Sequence, residues 1–65
     1  MTFSGSKVKQ YRDQRGMTQG DLAEKAGVTQ SFISDMEGNK KAPSTKTMIL
    51  IAEALGVTLD ALLEG

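Results

Sequence analysis

The side chains that most often carry catalysis are missing from this sequence. Its 65 residues include no His and no Cys, which removes the usual general base, the usual nucleophile and the usual zinc ligands. Carboxylates, hydroxyls, amides and ammonium groups remain. Asp13, Asp21 and Glu24 are spaced as solvated helix charges rather than as a pair of working acids, so no enzyme, no metal site and no cofactor is expected. What the remaining groups do well is hydrogen bonding and charge neutralisation. Lys40, Lys41 and Lys46 fall within one short stretch, the kind of local cluster that meets a polyanion. Against this, eight basic and eight acidic side chains cancel, and non-specific attraction to phosphate depends on an excess of positive charge.

A chain of this length supports one domain and one small core, here residues 1–65. Without disulfides, packing, helix caps or self-association must stabilise it. The longest apolar run, Met48 to Ala52, falls far short of the roughly 20 residues of a membrane span. The first residues contain neither a basic leader nor a long apolar stretch. The expectation is a cytoplasmic protein of a bacterium or phage, associated with the nucleoid and not with a membrane.

Glycines punctuate the chain. Gly16, Gly27, Gly38 and Gly56 each follow a segment of helical length, and Thr18, Thr29 and Thr58 stand two residues after three of them. Glycine ends a helix in the left-handed conformation and a threonine hydroxyl caps the next. Pro43-Ser44 marks a further start, with Ser44 as cap. The expectation is an all-α fold of five helices and no strand, the helices covering about residues 6–15, 19–26, 30–37, 45–55 and 59–63. Val8, Tyr11, Leu22, Ala23, Ala26, Ile33, Met36, Met48, Ile51, Ala52 and Leu55 recur at helical spacing and define inward faces. Met17, Val28, Val57, Leu59, Leu62 and Leu63 close the core at the junctions and along the last helix, Phe3 covers one end, and Phe32 is expected to pack.

From about residue 18 to 38, two short helices joined through Gly27 have the arrangement of a helix-turn-helix. Gln19 opens the first helix, Ala23 is small enough for a close crossing, and Val28, Ile33 and Met36 anchor the second. These residues, together with Tyr11-Arg12, Gly16-Met17-Thr18-Gln19, Pro43-Ser44 and Ala54-Leu55-Gly56-Val57, resemble the phage repressor and Cro-like (XRE) family of transcriptional regulators over about residues 7–64. The resemblance implies a compact five-helix, repressor-like domain that binds double-stranded DNA sequence-specifically. Repression is the mode it implies by default.

In that family the second helix of the unit enters the major groove and its first residues meet base edges, which implies base-reading roles for Gln30 and Ser31 and, one turn later, for Ser34 and Asp35. Gln suits the N6 and N7 positions of adenine, Ser suits several bases, and a carboxylate can accept from the amino group of cytosine but is otherwise repelled near phosphates. The family also implies phosphate contacts from Gln19, Thr29, Asn39, Lys40, Lys41, Ser44 and Lys46, and a partly buried structural ion pair between Arg12 and Glu37. The bland alternative for Lys40 and Lys41 is an ordinary solvated loop.

Leu50 lies off the inward stripe of its helix. It is either an isolated exposed leucine or, with Ile49 and apolar residues of the last helix, part of a self-association patch. A homodimer on a palindromic site is expected because two copies double the contacts of a domain with few lysines. No small-molecule ligand is implied. The rival reading is a protein-interaction module, of antitoxin or antagonist type, that keeps the repressor-like fold.

Overall fold

Four hydroxyl caps set the helices. In the computed structural model, which describes residues 2–64, the elements run β1 (Thr2–Phe3), α1 (Gly5–Gln14), α2 (Gln19–Ala26), α3 (Gln30–Glu37), α4 (Thr45–Leu55), a 3-10 turn (Leu59–Leu62) and β2 (Leu63–Glu64). Ser4, Thr18, Thr29 and Ser44 each hold an extended backbone and accept a hydrogen bond from the amide three residues on, satisfying donors that the first turn of a helix leaves open. At Thr18 the box is reciprocal: Asp21 N donates to Thr18 Oγ1 at 3.0 Å and Thr18 N donates to Asp21 Oδ2 at 3.0 Å. The N–H of Thr18, and after it the Thr18 hydroxyl, stabilise the Asp21 carboxylate and hold its pKa below the ordinary range. At the far end of α2, Gly27 adopts φ 75°, and Val28 N reaches back to Ala23 O at 3.0 Å, closing the helix in a left-handed turn.

The spans of α2, α3 and α4 coincide with those expected, and three differences stand out elsewhere. The fifth α-helix is instead a single 3-10 turn, whose Thr58 makes no side-chain cap bond. Leu63 already has extended backbone and enters β2, so only four residues after Thr58 are helical, and such short pieces favour the tighter i→i+3 turn. Beyond it Leu63 extends to pair with Phe3, and Glu64 with Thr2, in a two-stranded antiparallel ladder. The expectation of no strand is therefore corrected: residues 2–3 and 63–64 meet, and Ser4 N continues the connection by donating to Leu62 O at 2.8 Å. Finally, Gly38 keeps φ −84°, and it is Asn39 that turns left-handed, at φ 59°. Asn tolerates this region, and its Oδ1 there accepts from Gly5 N at 3.3 Å.

All four helices and the 3-10 turn share one core of Val8, Leu22, Ala23, Ala26, Ile33, Met36, Ile51, Ala52, Leu55 and Leu62. Phe3, Tyr11, Met17, Val28, Phe32, Ala54 and Val57 pack around it. Met48, Leu59 and Leu63, expected inside, are only half-buried. Among the described residues no helix is long and apolar enough to cross a membrane.

Where α1 begins, its backbone lies directly on the end of α3. A Cβ at Gly5 would overlap the Met36 carbonyl oxygen and approach Glu37 Cα to 3.0 Å. Backbone atoms cannot yield as a side chain would. Gly5→Ala is expected to destabilise the domain by about 1–3 kcal/mol, read as a lower urea midpoint at unchanged m-value; an unchanged midpoint contradicts the close α1–α3 approach.

Candidate nucleic-acid interface

The candidate interface is built on a charge that the fold takes out of water. Arg12 on α1 and Glu37 at the end of α3 form a two-pronged ion pair, Nε to Oε2 at 2.8 Å and Nη2 to Oε1 at 3.2 Å, with side-chain exposures of 10% and 5%. The third nitrogen of Arg12, Nη1, donates to Met17 O at 2.7 Å. Gln19 Nε2 donates to Glu37 Oε1 at 3.1 Å. The bond to Glu37 raises the Arg12 pKa further above its already high value. Four segments meet here: α1, the turn after it, the first residue of α2 and the last residue of α3. The network thus fixes the angle at which α3 is presented.

On α3, Ile33 and Met36 are wholly buried, while Gln30, Ser31 and Ser34 are exposed. These three polar residues form an outward ridge near the start of a helix whose inner face is locked. The Gln30 side chain lies over the first turn of α2, its Oε1 only 3.3 Å from the point where a Cβ on Gly20 would stand. Asp35 is half-buried and pairs with Lys41, Nζ to Oδ2 at 3.7 Å, and its carbonyl accepts from Lys40 N at 2.8 Å.

The residues expected to meet phosphate divide by what already occupies them. Lys40 and Lys46 are exposed and have no ion-pair partner among the described residues. Thr29 and Ser44 use their oxygens as caps for α3 and α4, accepting from Phe32 N at 3.1 Å and Thr47 N at 3.3 Å, which leaves the Thr29 hydroxyl hydrogen able to donate. Ser44 and Thr47 also share a hydroxyl–hydroxyl bond at 3.1 Å. Asn39 commits its carbonyl oxygen to Gly5 and keeps its NH₂ group. Gln19 has one N–H on Glu37 and a second one open. Two features escaped the reading of the sequence: the joining of Gln19 to the ion pair, which needs residues 18 positions apart to meet, and the role of Gly20 beneath Gln30. The only local sign of the latter is a glycine in the first turn of a capped helix.

Residues 8–62 match the sequence pattern of the helix-turn-helix family. The chain belongs to that family. It is 38% identical over 58 residues to the immunity repressor protein of Bacillus phage phi105, covering 89% of this chain and 40% of the repressor. It is also 38% identical over 61 residues to the transcriptional regulator SinR of Bacillus subtilis, covering 92% of this chain and 55% of SinR. The chain thus spans about half the length of the curated relatives it matches. A crystal structure of SinR in complex with DNA superposes with a TM-score of 0.87, covering 92% of this chain and 97% of that one, and SinR is also known in a complex with the SinI protein. The DNA-binding domain of the P22 c2 repressor has the same fold, with a TM-score of 0.89 at 26% identity over 94% of this chain and 80% of that one.

Removing one side of the buried pair strands the other charge. Arg12→Ala is expected to cost about 3–5 kcal/mol, enough to leave much of so small a domain unfolded at 25 °C by circular dichroism. A loss below about 1 kcal/mol, the range of exposed pairs, contradicts the role given to it.

Proposed function

We propose that this helix-turn-helix chain binds double-stranded DNA sequence-specifically as a transcriptional regulator, and acts as a repressor. The observation that carries this reading is the likeness to SinR, a relative of 38% identity over 92% of this chain that is seen on DNA with this same fold. The local geometry supports it. A helix whose inner side is pinned by Ile33, Met36 and the Arg12–Glu37 pair carries short polar side chains outward, and a helix of this width fits the major groove.

In this reading Gln30 pairs with adenine through its carboxamide, and Ser31 and Ser34 donate or accept at neighbouring base edges. Asp35 accepts from a cytosine amino group, with Lys41 beside it to offset its repulsion from phosphate. Lys40, Lys41 and Lys46 neutralise phosphates. The spare N–H groups of Gln19 and Asn39 and the hydroxyls of Thr29 and Ser44 donate to phosphate oxygens at or near helix N-termini. The domain works in the cytoplasm without a cofactor. It binds as a homodimer, and the exposed Ile49 and Leu50 of α4, at 45% and 37% exposure, supply apolar surface for that contact.

A second reading has one observation in its favour: the complex of SinR with SinI is between proteins. A chain with balanced charge that serves as a protein-interaction module would leave the α3 ridge unused.

Selection from random duplex DNA separates the two. The DNA reading expects an enriched palindrome, bound with an affinity that falls as salt rises. Gln30→Ala is expected to relax preference at one base pair by about 1–3 kcal/mol. Lys40→Ala should weaken all sequences alike and lower the salt slope by about 1. No enrichment, with alanine tolerated at both positions, favours the protein-interaction module.

A further inference from the structure

Most glycines of this domain are explained by the fold. Gly5 faces the backbone of α3, while Gly16, Gly27 and Gly56 adopt positive φ. Gly38 stands at the end of α3, outside the helix. Gly20 is different. It lies inside the first turn of α2, where glycine costs stability relative to alanine, its φ is not positive, and no backbone atom blocks a Cβ. The atoms nearest to that missing Cβ are Gln30 Oε1 at 3.3 Å, Thr18 Oγ1 at 3.7 Å and Gln30 Cδ at 3.9 Å. The empty position therefore serves as a shelf on which the end of the Gln30 side chain rests.

We infer that Gly20 is a specificity-determining positioning residue, which sets the direction of the Gln30 carboxamide by leaving the space over α2 open. The inference rests on the reading of Gln30 as a base contact. Gln has three rotatable side-chain bonds, and a paired contact with one base edge needs the carboxamide plane in one orientation. A methyl group on residue 20 occupies ground tighter than ordinary van der Waals contact with Oε1. Because a side-chain end gives way more easily than the helix backbone, the Gln30 amide moves and the fold stays. The same two helices with a side chain at position 20 would thus present Gln30 differently without any change in the residues that touch a base.

The test compares the wild type with Gly20→Ala, Gln30→Ala and the double variant, using the duplex selected by the wild type and its single-base-pair variants. Gly20→Ala is expected to melt no lower than wild type and to shift the side-chain amide resonance of Gln30 in the free protein. It should also lower preference at the base pair that Gln30 reads by roughly fivefold or more, and make no further difference there once Gln30 is alanine. An unmoved Gln30 resonance, an unchanged preference, or an equal weakening of all sequences overturns the role of Gly20 while leaving Gln30 as a reader. If Gln30→Ala itself leaves the preference unchanged, or the wild type selects no sequence, the base-reading assignment falls and the shelf falls with it.

Discussion

A guanidinium and a carboxylate withdrawn from water must find their partners inside the protein, and Arg12 and Glu37 do so by drawing in the backbone of Met17 and the amide of Gln19. An ion pair of this kind adds little net stability over a well-packed apolar substitute, but once present it tolerates few other geometries. Its effect is directional. The end of α3 is tied to α1 and to the start of α2, and with Ile33 and Met36 buried beneath the helix can neither roll nor slide without stranding a charge. A domain this small has no thick core to supply such rigidity, and a helix proposed to read base edges needs it, because hydrogen-bond recognition fails over small displacements.

The economy of the rest follows. Side chains that sit near the proposed DNA surface also have tasks in the fold: Thr29 and Ser44 cap helices, Asn39 takes the left-handed turn and holds Gly5, and Gln19 extends the buried network. Thr29, Asn39 and Gln19 each retain a donor after the structural bond is made. Preorganised donors lose less freedom on binding, which offsets part of what a chain with balanced charge forgoes in long-range attraction to DNA. The β1–β2 pair acts in the same sense, since it fastens residues 2–3 to residues 63–64 beside Ser4, the cap of α1.

Local signals made much of this legible in the sequence. Thr18, Thr29 and Ser44 announce their helices by type and position, and the apolar spacing of Leu22, Ile33, Met36 and Ile51 gives the buried faces. The start of α1 is less legible, because serines stand on both sides of Gly5, and Ser4 is the one that caps the helix by accepting from Lys7 N. The 3-10 turn and the strand pair were not legible because they depend on residue 2 meeting residue 64, a contact with no local trace. Asn39, and not Gly38, takes the positive φ because its side chain gains a partner on α1 that the sequence does not reveal. In the candidate site the polar ridge of α3 could be foreseen, whereas the commitments of Gln19 and Asp35, and the space over Gly20, arise from residues brought together only by folding.

The most direct test of the central claim, that the α3 ridge and the helix N-termini around it form the DNA-binding surface, is to map backbone amide shifts as the folded domain is titrated with its selected duplex. The largest changes are expected at Gln30, Ser31 and Ser34, with further changes at Gln19, Lys40 and the start of α4. Changes confined to Ile49, Leu50 and the far side of α4 would contradict it.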